Sequence, residues 1–186
     1  MQIPYFPGCT LTNKAKGLND TAKECLKELG LELKELENWY CCQANFSLLT
    51  DNLMNHLAPV RTLVSARKEG DTLAVLCSTC YYVLKRVNCL IEQDEAKRKI
   101  VFDFLEEEYR GPIKVVHFLE LVRDKIGFNK LREKIKIDLK DFAVAPYYGC
   151  QLLRPHEELA FDHPESPTIF EEFLGALGCR VVDYPF

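Results

Sequence analysis

Short apolar runs alternate with longer, helix-like stretches along the whole chain. Six runs have the length and the β-branched or aromatic content of strands: residues 3–6, 31–36, 72–77, 113–118, 142–148 and 180–184. Helical spacing occupies the intervals at residues 14–29, 46–68, 79–108, 118–135 and 168–177, with Gly30 as a C-terminal cap and Pro59 as a kink. This alternation predicts an α/β fold, a parallel sheet flanked by helices on both faces.

The predicted sheet also indicates where a ligand would bind. In a parallel sheet the carboxyl ends of the strands lie at one edge, and ligands collect there. Side chains that directly follow the strands are therefore the first candidates for a functional site.

The composition is that of a globular protein, and it narrows the function classes. The 186 residues are 47% hydrophobic and 28% charged, which is ordinary for one or two domains with a core. A net charge of −4 argues against a nucleic-acid partner, because phosphate binding needs an excess of Lys and Arg. The chain has no 18-residue apolar run and no signal-peptide pattern, so we expect a cytoplasmic protein without membrane insertion.

Nine cysteines are the unusual feature of this composition. The reducing cytosol disfavours disulfides, so clustered cysteines there indicate metal binding or redox chemistry. Cys41 and Cys42 are adjacent in "WYCCQAN", and a disulfide between neighbours is strained because the bridge requires converging Cβ atoms. The pair therefore indicates a role other than bonding to each other.

Five of the cysteines directly follow predicted strands. Cys9 follows the first strand, Cys41 and Cys42 follow the second, and Cys77 ends the third, with Cys80 in the turn "CSTC". Because neighbouring strands lie ~4.8 Å apart, five thiols that are distant in sequence can converge at the sheet edge. The pattern predicts a metal-cluster site built from these five cysteines.

Other candidate residues have simpler interpretations. A lone cysteine is most often a small buried apolar residue, and we expect this of Cys25, Cys89 and Cys179, with Cys25 on the apolar stripe of the first helix. The motif "CSTC" taken alone is also typical of a thioredoxin-type redox pair or a zinc knuckle. We interpret His117, which follows the fourth strand, as a buried and hydrogen-bonded histidine, with a place behind the cluster ligands as the alternative.

The number and softness of the ligands favour one metal centre over another. Zinc with thiolates prefers four ligands in a closed tetrahedron, so a fifth convergent cysteine would be surplus. Iron–sulfur clusters expose several irons to thiolates, and a five-thiolate set with an adjacent pair can bridge irons. An iron–sulfur cluster is the predicted cofactor, and zinc is the minor alternative.

The cysteine spacing resembles that of a known family. Cys9, 31 further residues, the pair Cys41-Cys42, 34 further residues and Cys77-x-x-Cys80 follow the pattern of the cysteine-rich CCG domain. The segments "YFPGCTLTN" and "GLELKELENWYCC" resemble the B-type subunit of heterodisulfide reductase. The segments "IKVVHFLELV" and "YYGCQLLRP" are similar to the inter-domain stretch and the start of the second CCG domain of that subunit.

The resemblance implies a noncubane [4Fe-4S] cluster held by Cys9, Cys41, Cys42, Cys77 and Cys80, with no catalytic side chain beyond these ligands. In the family, two CCG domains each hold such a cluster, and a disulfide is cleaved between them in two one-electron steps. A ferredoxin-like subunit delivers the electrons, and it receives them from a flavin-bearing subunit. These are the partners that the resemblance implies.

Two positions depart from the family pattern. Gln43 stands where the CCG motif has glycine, so the backbone freedom of glycine is missing there. Gln151 follows the second Gly-Cys, where methanogen-type members tend to have histidine. The resemblance therefore implies either the mixed disulfide of coenzymes M and B, CoM-S-S-CoB, or a related thiol-linked acceptor.

An internal repeat indicates a second copy of the domain. The segments "IPYFPGC" and "VAPYYGC" share a strand, an aromatic pair and a Gly-Cys, and "LKELGLELKELE" parallels "LGALGCRVVDY". After Gly30 the first copy needs 11 residues to reach Cys41, whereas only eight residues remain after Gly178. The second copy therefore stops before its own adjacent cysteines.

The repeat predicts a first CCG domain over residues 1–141 and an incomplete second one over residues 142–186. Cys150 is then a ligand of a second cluster whose other ligands lie outside this chain. Two functions of different class follow. The chain is either a catalytic subunit that reduces a disulfide, inactive as the isolated 186 residues, or a noncatalytic iron–sulfur subunit that relays electrons or docks a soluble or membrane-associated dehydrogenase.

Overall fold

The computed structural model describes residues 1–44, 52–137 and 139–183. The chain divides into two compact units, one from Met1 to His117 and one from Phe118 onward. The predicted domain boundary between residues 141 and 142, which was drawn from the sequence repeat, stays a prediction.

Four parallel strands form the sheet of the first unit, and the prediction of an α/β fold is confirmed. They are β1 (Gln2–Phe6), β2 (Glu32–Glu35), β3 (Thr72–Val75) and β4 (Lys114–His117), in the spatial order β2-β1-β3-β4. The three strands β1, β3 and β4 are buried over most of their length, whereas the edge strand β2 is largely exposed. Strands covered on both faces read as continuous apolar runs, which is why these runs were visible in the sequence.

The order of the strands reverses at β1. The chain moves from β1 to β2 on one side and then returns to β3 on the other side. Helix α2 (Lys16–Glu28) packs against β2, whereas α3 (Leu57–Glu69) and α4 (Ser78–Gln93) pack against β3 and its neighbours. Right-handed crossovers place helices of these two groups on opposite faces. A crevice opens outside the carboxyl ends of strands at such a reversal, here between β1 and β3.

Three predicted helices differ from those in the structure. The predicted helix at 79–108 is two helices, α4 and α5 (Glu95–Leu105), because Asp94 caps the second one by accepting a hydrogen bond from the Lys97 N–H at 2.9 Å. The predicted helix at 46–68 becomes a 3₁₀ turn (Leu53–His56) followed by α3, and residues 46–51 lie outside the described residues. The predicted helix at 118–135 is three short segments.

Two further expectations about the helices were wrong. Pro59 does not kink α3, because it lies in the first turn, where the missing N–H has no intrahelical partner to lose. In α2, Leu18 and Cys25 face solvent, and the buried stripe consists of Ala22, Leu26 and the polar Asn19.

The second unit repeats the backbone pattern of the first at a smaller size. Its segments are α6 (Phe118–Leu121), a π-helical turn (Val122–Ile126), α7 (Phe128–Lys134), β5 (Ala143–Val144), α8 (Cys150–Leu153), α9 (His156–Leu159), α10 (Ile169–Ala176) and β6 (Arg180–Val181). Strands β5 and β6 pair in parallel, as β1 and β2 do. Gly8 and Gly149 have φ of 70° and 68°, and Gly30 and Gly178 have φ of 88° and 86°. The sequence repeat therefore has a counterpart in backbone conformation.

Within the described ranges, no helix combines the length and the apolar content that crossing a bilayer requires.

Candidate functional site

The five predicted ligands follow three neighbouring strands of the first unit. Cys9 lies in the first turn of a short helix, α1 (Gly8–Thr12), directly after β1. Cys41 and Cys42 follow β2 after a short irregular segment. Cys77 is the N-terminal cap of α4, and Cys80 lies in the first turn of that helix. All five therefore belong to the carboxyl edge of the sheet, at the reversal of strand order.

The thiols interact with one another across these elements. Cys42 and Cys80 are both 3% exposed, and their Sγ atoms lie 3.5 Å apart although 38 residues separate them. The thiol of Cys77 interacts with those of Cys80 and Cys42, and the exposed Cys41 interacts with the exposed Cys9. No three His, Cys, Asp or Glu side chains in the described part of the chain are arranged around a single metal ion. All nine cysteines are free thiols.

Gly8 allows the first and third strand ends to approach each other. Its φ of +70° lies in the left-handed region that favours glycine. A Cβ atom at this position would lie 2.8 Å from the Cys80 Sγ and 3.2 Å from Cε1 of Phe6. Both the backbone conformation and the close contact therefore require glycine before Cys9.

The segment that carries the adjacent cysteines is fixed on both sides. Trp39 packs edge-to-face on Phe6, with ring centroids 5.4 Å apart. The N–H of Tyr40 donates to the hydroxyl of Thr62 on α3 at 3.0 Å, and this hydroxyl donates back to the Tyr40 carbonyl at 3.3 Å. These contacts place Cys41 and Cys42 after β2 without any regular element.

Gln43 ends this segment in a left-handed conformation. Its φ is 58°, and its N–H points to the Sγ of Cys41 at 3.5 Å. An N–H donor favours the thiolate of the sulfur that it approaches. The position where the family motif has glycine is thus a position where the backbone adopts the conformation that glycine favours.

Three neighbouring thiols divide into good and poor acids. The hydrogen bond from the Cys80 thiol lowers the pKa of Cys77 to about 6 despite burial, and the N–H groups of Cys80 and Thr79 act in the same direction. The Cys80 thiol likewise lowers the pKa of Cys42, again against the effect of burial. The pKa of Cys80 itself is raised because its proton is held between Cys42 and Cys77.

The remaining exposed thiol shows the opposite balance. The Gln43 N–H favours the thiolate of Cys41, but burial and the nearby thiols of Cys42 and Cys9 outweigh it and raise its pKa. Thiolates packed this closely repel one another, and a cation that binds them removes this repulsion. Metal binding to such a site displaces the remaining protons.

The donor set fits a soft, multi-iron group. Five thiols at one sheet edge exceed the four that a closed zinc site uses. Cys42 and Cys77 already favour the thiolate form, which is the form that ligates iron. Cys9, Cys41, Cys42, Cys77 and Cys80 remain the predicted ligands.

Two buried polar side chains adjoin the site, and the pattern of apolar runs did not single out Tyr5. The Tyr5 hydroxyl donates to Asn19 Oδ1 at 2.8 Å. Burial and the nearby charges of Glu35, Cys80 and Cys77 raise its pKa. His117 ends β4, and its Nε2 lies 3.1 Å from the carbonyl oxygen of Leu76, the residue before Cys77. Its interpretation as a buried, hydrogen-bonded histidine is confirmed.

The other cysteines lie outside this group. Cys150 belongs to the second unit, where it is exposed in the first turn of α8, after Gly149. Cys25 is exposed on α2, so its expected burial was wrong, whereas Cys89 and Cys179 are half-buried. The structure brings no other described thiol into contact with Cys150.

Comparison with known proteins supports this interpretation of the first unit. Residues 3–85 match the family model described as "CCG: Cysteine-rich domain". The matched range contains all five cysteines of the site and the strands β1 to β3 that position them. It ends before Cys150.

The chain is also similar to components of two reductases. It is 31% identical over 186 residues to "8-methylmenaquinol:fumarate reductase membrane anchor subunit" of Wolinella succinogenes, covering 98% of this chain and 64% of the relative. It is 31% identical over 188 residues to the B-type subunit of ferredoxin:CoB-CoM heterodisulfide reductase of Methanosarcina mazei, covering 98% of this chain and 62% of the relative. The chain thus spans less than two thirds of the length of these relatives.

A solved structure shares the fold. The crystal structure of a hypothetical protein from Helicobacter pylori superposes with a TM-score of 0.71 over 99% of this chain and 33% of that chain, at 13% identity. At this identity the likeness concerns the fold alone. The five-cysteine spacing, the family match at residues 3–85 and the similarity to the Methanosarcina mazei protein together show that this chain belongs to the cysteine-rich CCG domain family.

Proposed function

We propose that the first unit binds a noncubane [4Fe-4S] cluster through Cys9, Cys41, Cys42, Cys77 and Cys80. The observation that carries the proposal is the 3.5 Å approach of the Cys42 and Cys80 sulfurs from two different strand ends. The lowered pKa values of Cys42 and Cys77 and the need for glycine at position 8 support it. When bound, such a cluster supplies one-electron chemistry.

The surrounding residues orient the ligands. Thr62 and Trp39 hold the backbone of the adjacent cysteines, and the N–H groups at the start of α4 stabilise the thiolate of Cys77. The exposure of Cys9 and Cys41, in contrast to the burial of Cys42 and Cys80, leaves one side of the site open to solvent. A substrate or an electron-transfer partner would approach the site from this side.

We further propose that the chain is part of the catalytic subunit of a heterodisulfide reductase-type complex. Its substrate class is a disulfide such as CoM-S-S-CoB or a related thiol-linked acceptor, and its proposed partners are a ferredoxin-like subunit and a flavin-bearing subunit. Cys150 would hold a second cluster together with residues outside this chain, so the 186 residues alone would be inactive. A cytoplasmic location remains a prediction.

A second function has a specific observation in its favour. The Wolinella succinogenes relative is named as the membrane anchor subunit of a fumarate reductase, and its identity to this chain equals that of the Methanosarcina mazei relative. In this alternative the cluster relays electrons or helps to dock a dehydrogenase, and no disulfide binds to it.

Electron paramagnetic resonance distinguishes the two functions. The natural full-length protein is purified without oxygen together with the subunits that accompany it, oxidised, and measured before and after addition of coenzyme M, coenzyme B or ethanol as the control without a thiol. Catalysis at the cluster predicts that a thiol product changes the spectrum and that the control does not. A spectrum that no thiol changes would favour the relay function.

A further inference from the structure

Strand β4 ends at a buried histidine that contacts the turn into Cys77. His117 is 5% exposed and pairs with Val75 in the sheet register. Its Nε2 lies 3.1 Å from the carbonyl oxygen of Leu76. A carbonyl oxygen only accepts hydrogen bonds, so this Nε2 carries a proton and donates it. The imidazole thus contacts the residue immediately before a predicted cluster ligand.

The histidine side chain replaces a backbone donor that the sheet lacks at this point. The Leu76 carbonyl lies just beyond the last pair of the β3–β4 ladder, Val75 and His117. The next residue, Phe118, begins α6, so the chain leaves the strand before it offers another ladder N–H. A carbonyl that loses water without gaining a donor costs about 1–3 kcal/mol. The imidazole N–H meets this requirement.

The same hydrogen bond fixes the orientation of the following amide. In the described part of the chain the cis peptide bond is Arg154-Pro155, so the Leu76–Cys77 peptide is trans and planar. Its N–H points opposite to its carbonyl. Because β3 lies between β4 and β1, a carbonyl directed to β4 turns the Cys77 N–H towards β1, which leads into Gly8 and Cys9.

We propose that His117 is a positioning residue of the cysteine site, which holds the Leu76 carbonyl and thereby keeps the Cys77 N–H directed into the crevice between β1 and β3. This inference rests on the proposed cluster. Hydrogen bonds and amide dipoles near cluster sulfurs help to set the reduction potential, because they stabilise the more negative, reduced state. Loss of the His117 donor therefore lowers the reduction potential, while the five thiols remain in place.

Four proteins test this inference: the wild-type full-length chain, His117→Leu, His117→Gln and His156→Leu. Leucine removes the donor and keeps an apolar side chain in the buried position, whereas glutamine offers an amide N–H that reaches the same carbonyl. His156 is an exposed histidine of the second unit and serves as the control. Each protein is reconstituted with iron and sulfide without oxygen, and its iron content, midpoint potential and electron paramagnetic resonance spectrum are measured.

We expect His117→Leu to keep the iron content of the wild type with a more negative midpoint potential and shifted g values. His117→Gln should recover the wild-type potential, and His156→Leu should not differ from the wild type. A His117→Leu protein with unchanged potential and spectrum overturns the inference and leaves the proposed cluster intact.

If His117→Leu does not bind iron, His117→Gln decides. A wild-type potential in that variant supports the role of the donor, and a lowered potential or a lack of iron contradicts it. A wild-type protein without iron contradicts the proposed function itself.

Discussion

At the scale of single residues, the site depends on backbone conformation as well as on thiols. Gly8 and Gln43 both adopt positive φ, and both directly adjoin predicted ligands, Cys9 and Cys42. Gly8 also lies against the Cys80 sulfur. These two residues can be changed without removing a ligand, so they test whether the geometry of the site matters separately from its sulfur content.

Replacing Gly8 by alanine should abolish iron binding. The new Cβ would lie 2.8 Å from the Cys80 Sγ, so Cys80 or the turn after β1 must move. Gly30→Ala is the matched control, because Gly30 has φ +88° but no atom within 4 Å of the added Cβ. Both variants should lose about 1–2 kcal/mol through the left-handed conformation. Iron and sulfide quantification would contradict this account if Gly8→Ala bound as much iron as Gly30→Ala.

Replacing Gln43 by glycine should preserve the site. Relief of the left-handed strain, about 1–2 kcal/mol, is largely offset by the greater freedom of glycine in the unfolded chain. We therefore expect Gln43→Gly to bind iron like the wild type, with a small change in the free energy of unfolding. Gln43→Ile should be clearly less stable, since β-branched residues are outliers at positive φ. Urea unfolding measures both, and loss of iron in Gln43→Gly would show that the glutamine side chain itself is needed.

The residues that sequence reasoning identified are those whose chemistry is visible in their type and spacing. The five cysteines could be predicted because each follows an apolar run that became a strand. The role of Gly8 could not be predicted, because its contact with Cys80 joins two strand ends 72 residues apart. Cys25 was assigned to an apolar stripe, but the stripe is rotated towards Asn19, which pairs with the buried Tyr5 hydroxyl.

At the scale of elements, strand ends were easier to predict than helix ends. Buried parallel strands announce themselves as apolar runs, and β1 to β4 all lie within the predicted ranges or one residue beyond. Helix boundaries depend on caps. Asp94 followed by Glu95 is a recognisable N-terminal signal that divides the predicted helix at 79–108, whereas the short helix α1 has no such side-chain cap.

The end of the β3–β4 pair predicts a pH-dependent stability. Burial lowers the pKa of His117 from 6.5 to about 4, although its hydrogen bond to the Leu76 carbonyl acts in the opposite direction. The unfolded chain therefore binds the proton more tightly, and the stability that the neutral imidazole provides is present above pH 6.5 and is lost as the pH falls towards 4. We expect a loss of about 2 kcal/mol between about pH 7 and about pH 5.

Urea unfolding of the cluster-free protein at both pH values measures this loss, and His117→Gln is the control because glutamine does not titrate. The variant should lose about 2 kcal/mol less than the wild type over the same interval. Equal losses in both proteins would mean that other groups cause the pH dependence.

At the scale of the whole molecule, the chain contains one group of five thiols in its first unit and the isolated Cys150 in its second. The similar φ angles of Gly8 and Gly149 and the parallel pairing of β5 with β6 agree with a repeat of one architecture. The sequence repeat was visible because glycine and cysteine mark the turn after the strand. The shortness of β5 and β6 was not foreseen, because the apolar runs at 142–148 and 180–184 are as long as those of the first unit.

The most direct test of the central claim is iron and sulfide quantification, with electron paramagnetic resonance, on anaerobically prepared wild type, Cys42→Ser and Cys25→Ser. Cys42 is a buried member of the thiol group, and Cys25 is an exposed thiol outside it. The account predicts about four irons and four sulfides per first unit in the wild type and in Cys25→Ser, and a lost or converted signal in Cys42→Ser. Equal behaviour of the two variants would contradict the ligand assignment, and a wild type without iron would contradict the cluster.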